Sequence, residues 1–248
     1  MNAHLASSDW PRLLAGLFVV YGLFQGVAHL LRSDRGEAGL LIAALVTIAT
    51  LTFQRSFFAP TVADAARAVG LGVPVRRGVA VAAALGLGLL LVIPAYVHVT
   101  HASMTFRAGW LSMLPGLFAQ AGIAEEVLFR GYVFGNLRRR HAFWRAAWLS
   151  MLPFVLVHLS MFATMDWPIA SAALLLAVAM SFPLARLFED AGHTIWAPAL
   201  LHFIAQATLK VVLVSGPPDL WLPLVWMAAC ATIPYLVFVV PSRGQRDA

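Results

Sequence analysis

Long apolar runs separated by short polar clusters dominate the chain. Crossing the hydrocarbon core of a bilayer takes about 20 consecutive apolar residues in an α-helix. The pattern therefore predicts eight transmembrane helices, over residues 11–31, 36–53, 78–99, 110–140, 143–161, 168–188, 194–214 and 220–240. The stretch 55–77 mixes arginine and aspartate with apolar residues, which predicts a segment lying along the membrane surface.

Composition supports the same interpretation. Apolar residues make up 61% of the chain and charged residues only 11%, whereas about a quarter of the residues in a soluble domain are charged. Such a chain cannot cover itself with a water-compatible surface, so lipid must surround it. We expect an all-α fold, a polytopic membrane helical bundle of about eight transmembrane helices, with residues 1–248 forming a single transmembrane domain.

The charged residues predict how the chain is oriented. The N-terminus, alternate loops and the C-terminus together hold twelve basic residues, against four in the other loops (Arg32, Arg35, Arg107 and Lys210). Because basic residues accumulate on the cytoplasmic side of membranes, both termini are predicted to be cytoplasmic. The net charge of +6 comes from these loop clusters, so we expect contact with lipid headgroups and no nucleic-acid partner. An arginine-rich, alanine-rich chain with almost no lysine favours a bacterial inner membrane.

Ionisable and amide side chains interrupt three of the predicted helices. Charge at the centre of a bilayer costs at least about 2.5–3.5 kcal/mol and usually marks function. At 1.5 Å per residue, Glu125 and His158 lie roughly 20 Å from the cytoplasmic ends of their helices, and His202 roughly 13 Å. This similar depth predicts that the groups meet in one cavity. The set is Glu125, Glu126, Arg130, His158, His202 and Gln206.

Spacing suggests how these groups divide the chemistry. Glu126 and Arg130 are four residues apart, so their side chains can pair on one helical face. Glu125 points about 100° away and is predicted to face a water molecule. A carboxylate can act as a general base, and a histidine can orient the same water. A second histidine and an amide can donate to a developing oxyanion. The set therefore predicts a hydrolase that activates water to cleave an amide bond.

Three motifs in order resemble a known family. The stretch GIAEEVLFRG resembles a Glu-Glu-x-x-x-Arg motif, Phe154 and His158 match Phe-x-x-x-His, and His202 begins a His-x-x-x-Asn motif in which Gln206 replaces asparagine. These motifs, within about residues 109–210, are similar to those of the CAAX-protease and bacteriocin-processing family of intramembrane glutamic proteases.

The resemblance implies an intramembrane endopeptidase with a conical catalytic cavity and no cofactor. Glu125 and His158 would activate the water, His202 and Gln206 would form the oxyanion hole, and Glu126 and Arg130 would support the site. The Gln206 departure keeps an amide donor but moves it by one methylene group.

The substrates implied are membrane-associated peptides or proteins, namely prenylated C-termini, anchoring or sorting segments, or secreted peptides. Cleavage is expected near or within the cytoplasmic half of the bilayer.

Other interpretations remain open at this point. Glu125, His158 and His202 could hold zinc, because two histidines and a carboxylate are a common ligand set, although no His-Glu-x-x-His pair is present. The protein could also be a non-catalytic membrane scaffold or immunity protein, or a proton-coupled transporter. His29, His98 and His101 are predicted to be interfacial polar residues.

Overall fold

The computed structural model describes residues 9–31, 37–216 and 221–241. Arg32, Arg35, Arg243 and Arg246, which entered the orientation prediction, and the predicted helix starts at residues 36 and 220 lie outside these ranges. The described elements are α1 (Asp9–Leu31), α2 (Glu37–Phe57), α3 (Val62–Ala68), α4 (Arg76–Thr100), β1 (Ser103–Phe106), α5 (Trp110–Leu117), the π-helices π1 (Phe118–Ala124) and π2 (Val127–Phe134), α6 (Gly135–Arg138), α7 (Phe143–His158), a 3-10 helix (Leu159–Ala163), α8 (Trp167–Asp190), α9 (Trp196–Val211), β2 (Val212–Ser215), α10 (Trp221–Thr232) and a second 3-10 helix (Ile233–Phe238).

The all-α membrane bundle is confirmed. Six helices of the described chain are long and apolar enough to cross a membrane, and they correspond to six of the eight predicted spans. The other two predicted spans are the continuous helical run 110–138 and the shorter helix α9. The number eight and the conical cavity shape stay predictions. Large apolar side chains such as Ile48, Leu91 and Leu175 face outward, as expected where lipid is the solvent.

The helix predicted over 194–214 is wrong at its C-terminal end. After α9 ends at Val211, residues 212–215 form β2, which pairs antiparallel with β1, Ser103 opposite Ser215. The backbone N–H of Arg107 donates to the Val211 carbonyl at 2.8 Å. These bonds tie the end of α9 to the chain just before the helical run 110–138. Helix periodicity along the chain does not indicate this pairing.

Among the described residues, two large hydrophobic clusters and one small one form the interior. One large cluster joins α1, α2, the run 110–138 and α7, and the other large cluster joins α4, α8, α9 and α10. The run 110–138 meets α9 closely because Gly122 has no side chain. A Cβ atom at Gly122 would come within 3.0 Å of the Ala199 carbonyl oxygen. This close approach brings the first and third sequence motifs together.

Hydrogen bonds and ion pairs hold the C-terminal end of the run 110–138 in place. The Asn136 amide donates to Gln54 of α2 and to the Tyr132 carbonyl, both at 2.8 Å. Arg140 contacts Asp9 at 2.7 Å, and Arg138 pairs with Glu189. The predicted surface segment 55–77 contains the short helix α3, while α2 extends to Phe57 and α4 begins at Arg76. The position of α3 along a membrane surface stays a prediction.

Candidate active site

The first motif lies on an unusual helix. Residues 118–124 and 127–134 are π-helical, and Glu125 and Glu126 lie at the junction of the two segments. A π-helix is rare and often occurs at functional sites, because its wider turn changes which side chains share a face. The sequence predicted an ordinary helix here. The prediction that Glu126 and Arg130 pair four residues apart nevertheless matches the structure.

Glu126 and Arg130 form a buried ion pair. Arg130 Nη1 donates to Glu126 Oε1 at 3.0 Å, and the exposed fractions of the two side chains are 4% and 0%. The Arg130 guanidinium also lies 4.6 Å from the centre of the Phe154 ring, in cation–π geometry. Because Phe154 belongs to the second motif, Arg130 links the first motif to α7. Among the described residues, Glu126 Oε2 has no hydrogen-bond partner.

Glu126 also holds His202 of the third motif. His202 Nδ1 lies 2.6 Å from Glu126 Oε1, and the same ring's Nε2 lies 3.7 Å from Glu125 Oε2. A carboxylate that already accepts from Arg130 is an acceptor for His202 Nδ1–H as well. His202 is therefore fixed in one tautomer by Glu126 while its other nitrogen faces Glu125.

Gln206 completes this chain of hydrogen bonds. Its Oε1 accepts from Lys210 Nζ at 3.2 Å, and its Nε2 lies 2.9 Å from His202 Nε2. Because an ammonium group can only donate, Lys210 favours the amide orientation in which Gln206 turns its NH₂ group toward His202. In the neutral ring, His202 Nε2 then accepts from Gln206. The chain runs from Lys210 through Gln206 and His202 to Glu126.

His158 is held by its own helix. Its Nδ1 lies 2.7 Å from the Phe154 carbonyl oxygen, so Nδ1–H donates to it. In the neutral ring Nε2 then carries the lone pair. The ring also packs edge-on against Phe154, with centroids 4.5 Å apart, and Phe154 packs against Phe129. These contacts fix the ring orientation of His158, which is the requirement for a group that handles one specific water molecule.

A cavity of about 660 Å³ brings several of these side chains together. Glu125, His158 and Gln206 line it, whereas Glu126 and Arg130 are buried in the protein interior and His202 lies against Glu125. The structure thus brings groups from all three motifs to one place. The hydroxyl of Ser160, also in the lining, donates to the Val157 carbonyl at 2.8 Å.

Helix α1 contributes side chains that the sequence interpretation missed. Tyr21, Gln25 and His29 line the cavity, as does Gln120 of π1. Gln25 donates to the Tyr21 hydroxyl, which donates to the Val157 carbonyl at 3.2 Å. The interfacial interpretation of His29 was incomplete, because it lines the cavity. The missed signal was the spacing, since positions 21, 25 and 29 form a polar stripe on one face of an apolar helix.

The zinc alternative requires Glu125, His158 and His202 to converge on one point. Within residues 9–31, 37–216 and 221–241, no three His, Cys, Asp or Glu side chains form a group that could hold a metal ion. Nδ1 of His202 is engaged by Glu126 and Nδ1 of His158 by a backbone carbonyl, which leaves Nε2 as the free nitrogen of each ring. The zinc alternative is therefore tested below by chelation.

A comparison with curated proteins found no match. A scan against protein-family models found one described as "Type II CAAX prenyl endopeptidase Rce1-like", which matches residues 107–208. The matched segment contains all three motifs, with Glu125, His158 and His202 among its residues. It agrees with the resemblance inferred from the motifs and implies proteolytic activity of the CAAX type in a multi-pass membrane protein. Residues 107–208 of the chain are therefore similar to the Rce1-like family of CAAX proteases.

Proposed function

We propose that the protein is an intramembrane glutamic endopeptidase that hydrolyses a peptide bond of membrane-associated peptides or proteins. The observation that carries this proposal is the shared cavity: Glu125, His158 and Gln206 line one space, and His202 lies 3.7 Å from Glu125. The cavity holds a carboxylate, an imidazole and an amide, which are the groups needed to activate water and to stabilise an oxyanion.

The reaction begins with a water molecule held between Glu125 and His158. The Glu125 carboxylate accepts a proton as the water oxygen bonds to the substrate carbonyl carbon. The tetrahedral intermediate carries a negative oxygen. When the carbon–nitrogen bond breaks, the proton passes from Glu125 to the leaving amine. The products are a carboxylic acid and an amine, and no cofactor takes part. His158 Nε2 orients the water through its lone pair.

The negative oxygen of the intermediate needs donors. Gln206 lines the cavity, and the hydrogen bond from Lys210 to its Oε1 fixes the orientation of its NH₂ group. His202 becomes a second donor when its Nε2 takes up a proton from water in the cavity, which releases the Gln206 NH₂ group from its bond to Nε2. Glu126, which accepts from Nδ1–H, stabilises that imidazolium. Glu126 and Arg130 therefore act as positioning residues that orient His202, and neither is required to touch the substrate.

Substrate cleavage in a defined membrane tests the proposal. We expect the purified protein in lipid nanodiscs to cut members of a membrane-peptide library, with cut sites read by mass spectrometry. Replacing His158 with alanine should lower kcat by about 10²-fold because the water loses one orienting group. The matched control is Ser160→Ala, a cavity residue on the same segment, which should keep wild-type activity.

Chelation separates the metal-free mechanism from the zinc alternative. Incubation with a zinc chelator should leave the cleavage rate unchanged, since the proposed steps use protein groups alone. Loss of activity that added zinc restores would contradict the glutamic mechanism. An absence of cleavage in every lipid and peptide condition would favour the non-catalytic scaffold.

Substitutions at Gln206 test the oxyanion role. We expect Gln206→Ala to lower kcat by about 10²-fold, the usual loss when one donor of an oxyanion hole is removed. Gln206→Asn keeps the amide but shortens its reach from α9, so we expect an intermediate loss of about tenfold. Steady-state kinetics with thermal unfolding as a control would measure both. A Gln206→Ala protein as active as wild type would remove the amide from the mechanism.

A further inference from the structure

Basic side chains are distributed unequally between the two ends of the helix bundle. We define the arginine-rich end as the one at which α1, α4 and α7 begin and α2, α6 and α8 end. Among the described residues, the opposite end holds only Arg107 and Lys210. The arginine-rich end holds ten: Arg12, Arg55, Arg67, Arg76, Arg77, Arg138, Arg139, Arg140, Arg145 and Arg186. By the positive-inside rule this end faces the cytoplasm.

The cavity lies toward the opposite end. Its α1 residues come from the second half of that helix, including Gln25 and His29, and its α2 residues, Ala38 and Ile42, come from the first turns. The loop that follows α7 supplies Thr164 and other lining residues. All of these segments are near the end that lacks the arginine clusters.

The mouth of the cavity is polar and accessible. Gln25, His29, Ser160 and Thr164 are exposed cavity residues, and Met165 beside them is 44% exposed. A polar rim at the end of the helices suits a water-filled entrance better than contact with lipid. Water and an extended peptide can therefore reach Glu125 from this end.

Packing closes the route from the arginine-rich end. Every residue from 126 to 137 of the run 110–138 is buried, including the large side chains of Tyr132, Phe134 and Leu137. Arg138 follows directly and pairs with Glu189. About 20 Å of packed helix separates Glu125 from that surface, at 1.5 Å per residue. A substrate on that side would meet closely packed side chains.

From this geometry we infer that the catalytic cavity opens on the non-cytoplasmic face of the membrane. The substrates are then membrane-anchored peptides or proteins whose scissile bond lies at that surface, next to their membrane segment. The inference rests on the proposed function for its substrate class, and it reverses the expectation of cleavage in the cytoplasmic half of the bilayer. The direction of the cavity itself depends on the fold and on the arginine distribution alone.

Cysteine accessibility in cells tests the orientation. Cys230 is the only cysteine of the chain and is fully buried, so Cys230→Ala gives a background without thiols. Met165→Cys marks the cavity mouth, and Val73→Cys, at a residue 93% exposed near α3, marks the arginine-rich end. In spheroplasts, a membrane-impermeant maleimide should label the Met165→Cys protein. The Val73→Cys protein should be labelled only after lysis, and both should be labelled equally after denaturation.

The opposite pattern, labelling of both variants, or labelling of neither before lysis would overturn the inference. Labelling needs no catalytic activity, so its outcome is independent of the proposed protease function. A second measurement relates the orientation of the cavity to the proposed protease function. In spheroplasts with a cleavable membrane-anchored reporter, maleimide bound to the Met165→Cys protein should lower cleavage by at least tenfold. An inactive protein with the expected labelling would remove the protease proposal and leave the orientation intact.

Discussion

Replacing Glu125 with glutamine is expected to lower kcat by about 10³-fold. The substitution keeps the size of the side chain and one accepting oxygen, but an amide cannot take a proton from water, and general base catalysis contributes about 10²–10⁴-fold. Glu125 borders the cavity and makes no ion pair with Arg130, whose partner is Glu126. The melting temperature should therefore change by no more than a few degrees. Cleavage kinetics and thermal unfolding of the purified protein measure both quantities.

The matched control is Asp64→Asn, which removes one carboxylate outside the bundle, near Arg67 of α3. It should leave kcat unchanged. If Glu125→Gln retained wild-type cleavage, water activation by this carboxylate would be wrong. If Glu125→Gln lost activity together with cooperative unfolding, the role of Glu125 would be structural.

Replacing Arg130 with methionine is expected to destabilise the protein by about 3–5 kcal/mol. The change leaves the Glu126 carboxylate buried with His202 as its remaining hydrogen-bond partner, and an uncompensated buried charge is costly. The contact between the guanidinium and Phe154 is lost as well. Reversible unfolding in mixed detergent micelles would measure the loss, with kcat recorded on the folded fraction.

A double variant separates stability from function. Combining Arg130→Met with Glu126→Gln removes both charges, so most of the lost stability should return. Activity should remain low, because a neutral amide at position 126 no longer stabilises a protonated His202. Recovery of both stability and activity in the double variant would show that the ion pair has only a structural role. Destabilisation below about 1 kcal/mol in the single variant would contradict the burial argument.

The hydrogen bond between Glu126 and His202 connects the predictions for the Glu125 and Arg130 variants. Glu125 and Glu126 are adjacent in sequence but have different surroundings: one borders a cavity and the other is buried with Arg130 and His202. Two neighbouring carboxylates can therefore have two roles, a reacting group and a positioning group. The distinction follows from where each side chain points, and the π-helical geometry around them contributes to it.

The predictable part of the site consisted of local relations. The Glu126–Arg130 pair and the His202–Gln206 contact are both four residues apart on a helix, so their spacing was enough to infer them. The similar depth of Glu125 and His158 was also readable, because apolar runs fix helix ends and the rise per residue fixes depth. These inferences needed no knowledge of which helices are neighbours.

The role of α1 in lining the cavity and the pairing of β2 were harder to predict from the sequence. Tyr21, Gln25 and His29 follow a helical spacing that could have been noticed, but nothing in that spacing says which other helix they face. The pairing of β1 with β2 joins segments more than 100 residues apart in the chain. Short strands of this kind carry no periodic signal distinct from the end of an apolar helix.

By itself, the sequence determined that the chain lies in a membrane, that its backbone is helical, and that six polar residues lie inside those helices. The reason is that lipid offers the backbone no hydrogen bonds, so long apolar runs must be helices. Only the tertiary structure decided that Glu126 forms a hydrogen bond with His202, 76 positions away. It also decided that α1 lines the cavity and toward which end of the helix bundle the cavity opens. Those relations depend on helix packing, where close approach at small residues such as Gly122 selects the neighbours.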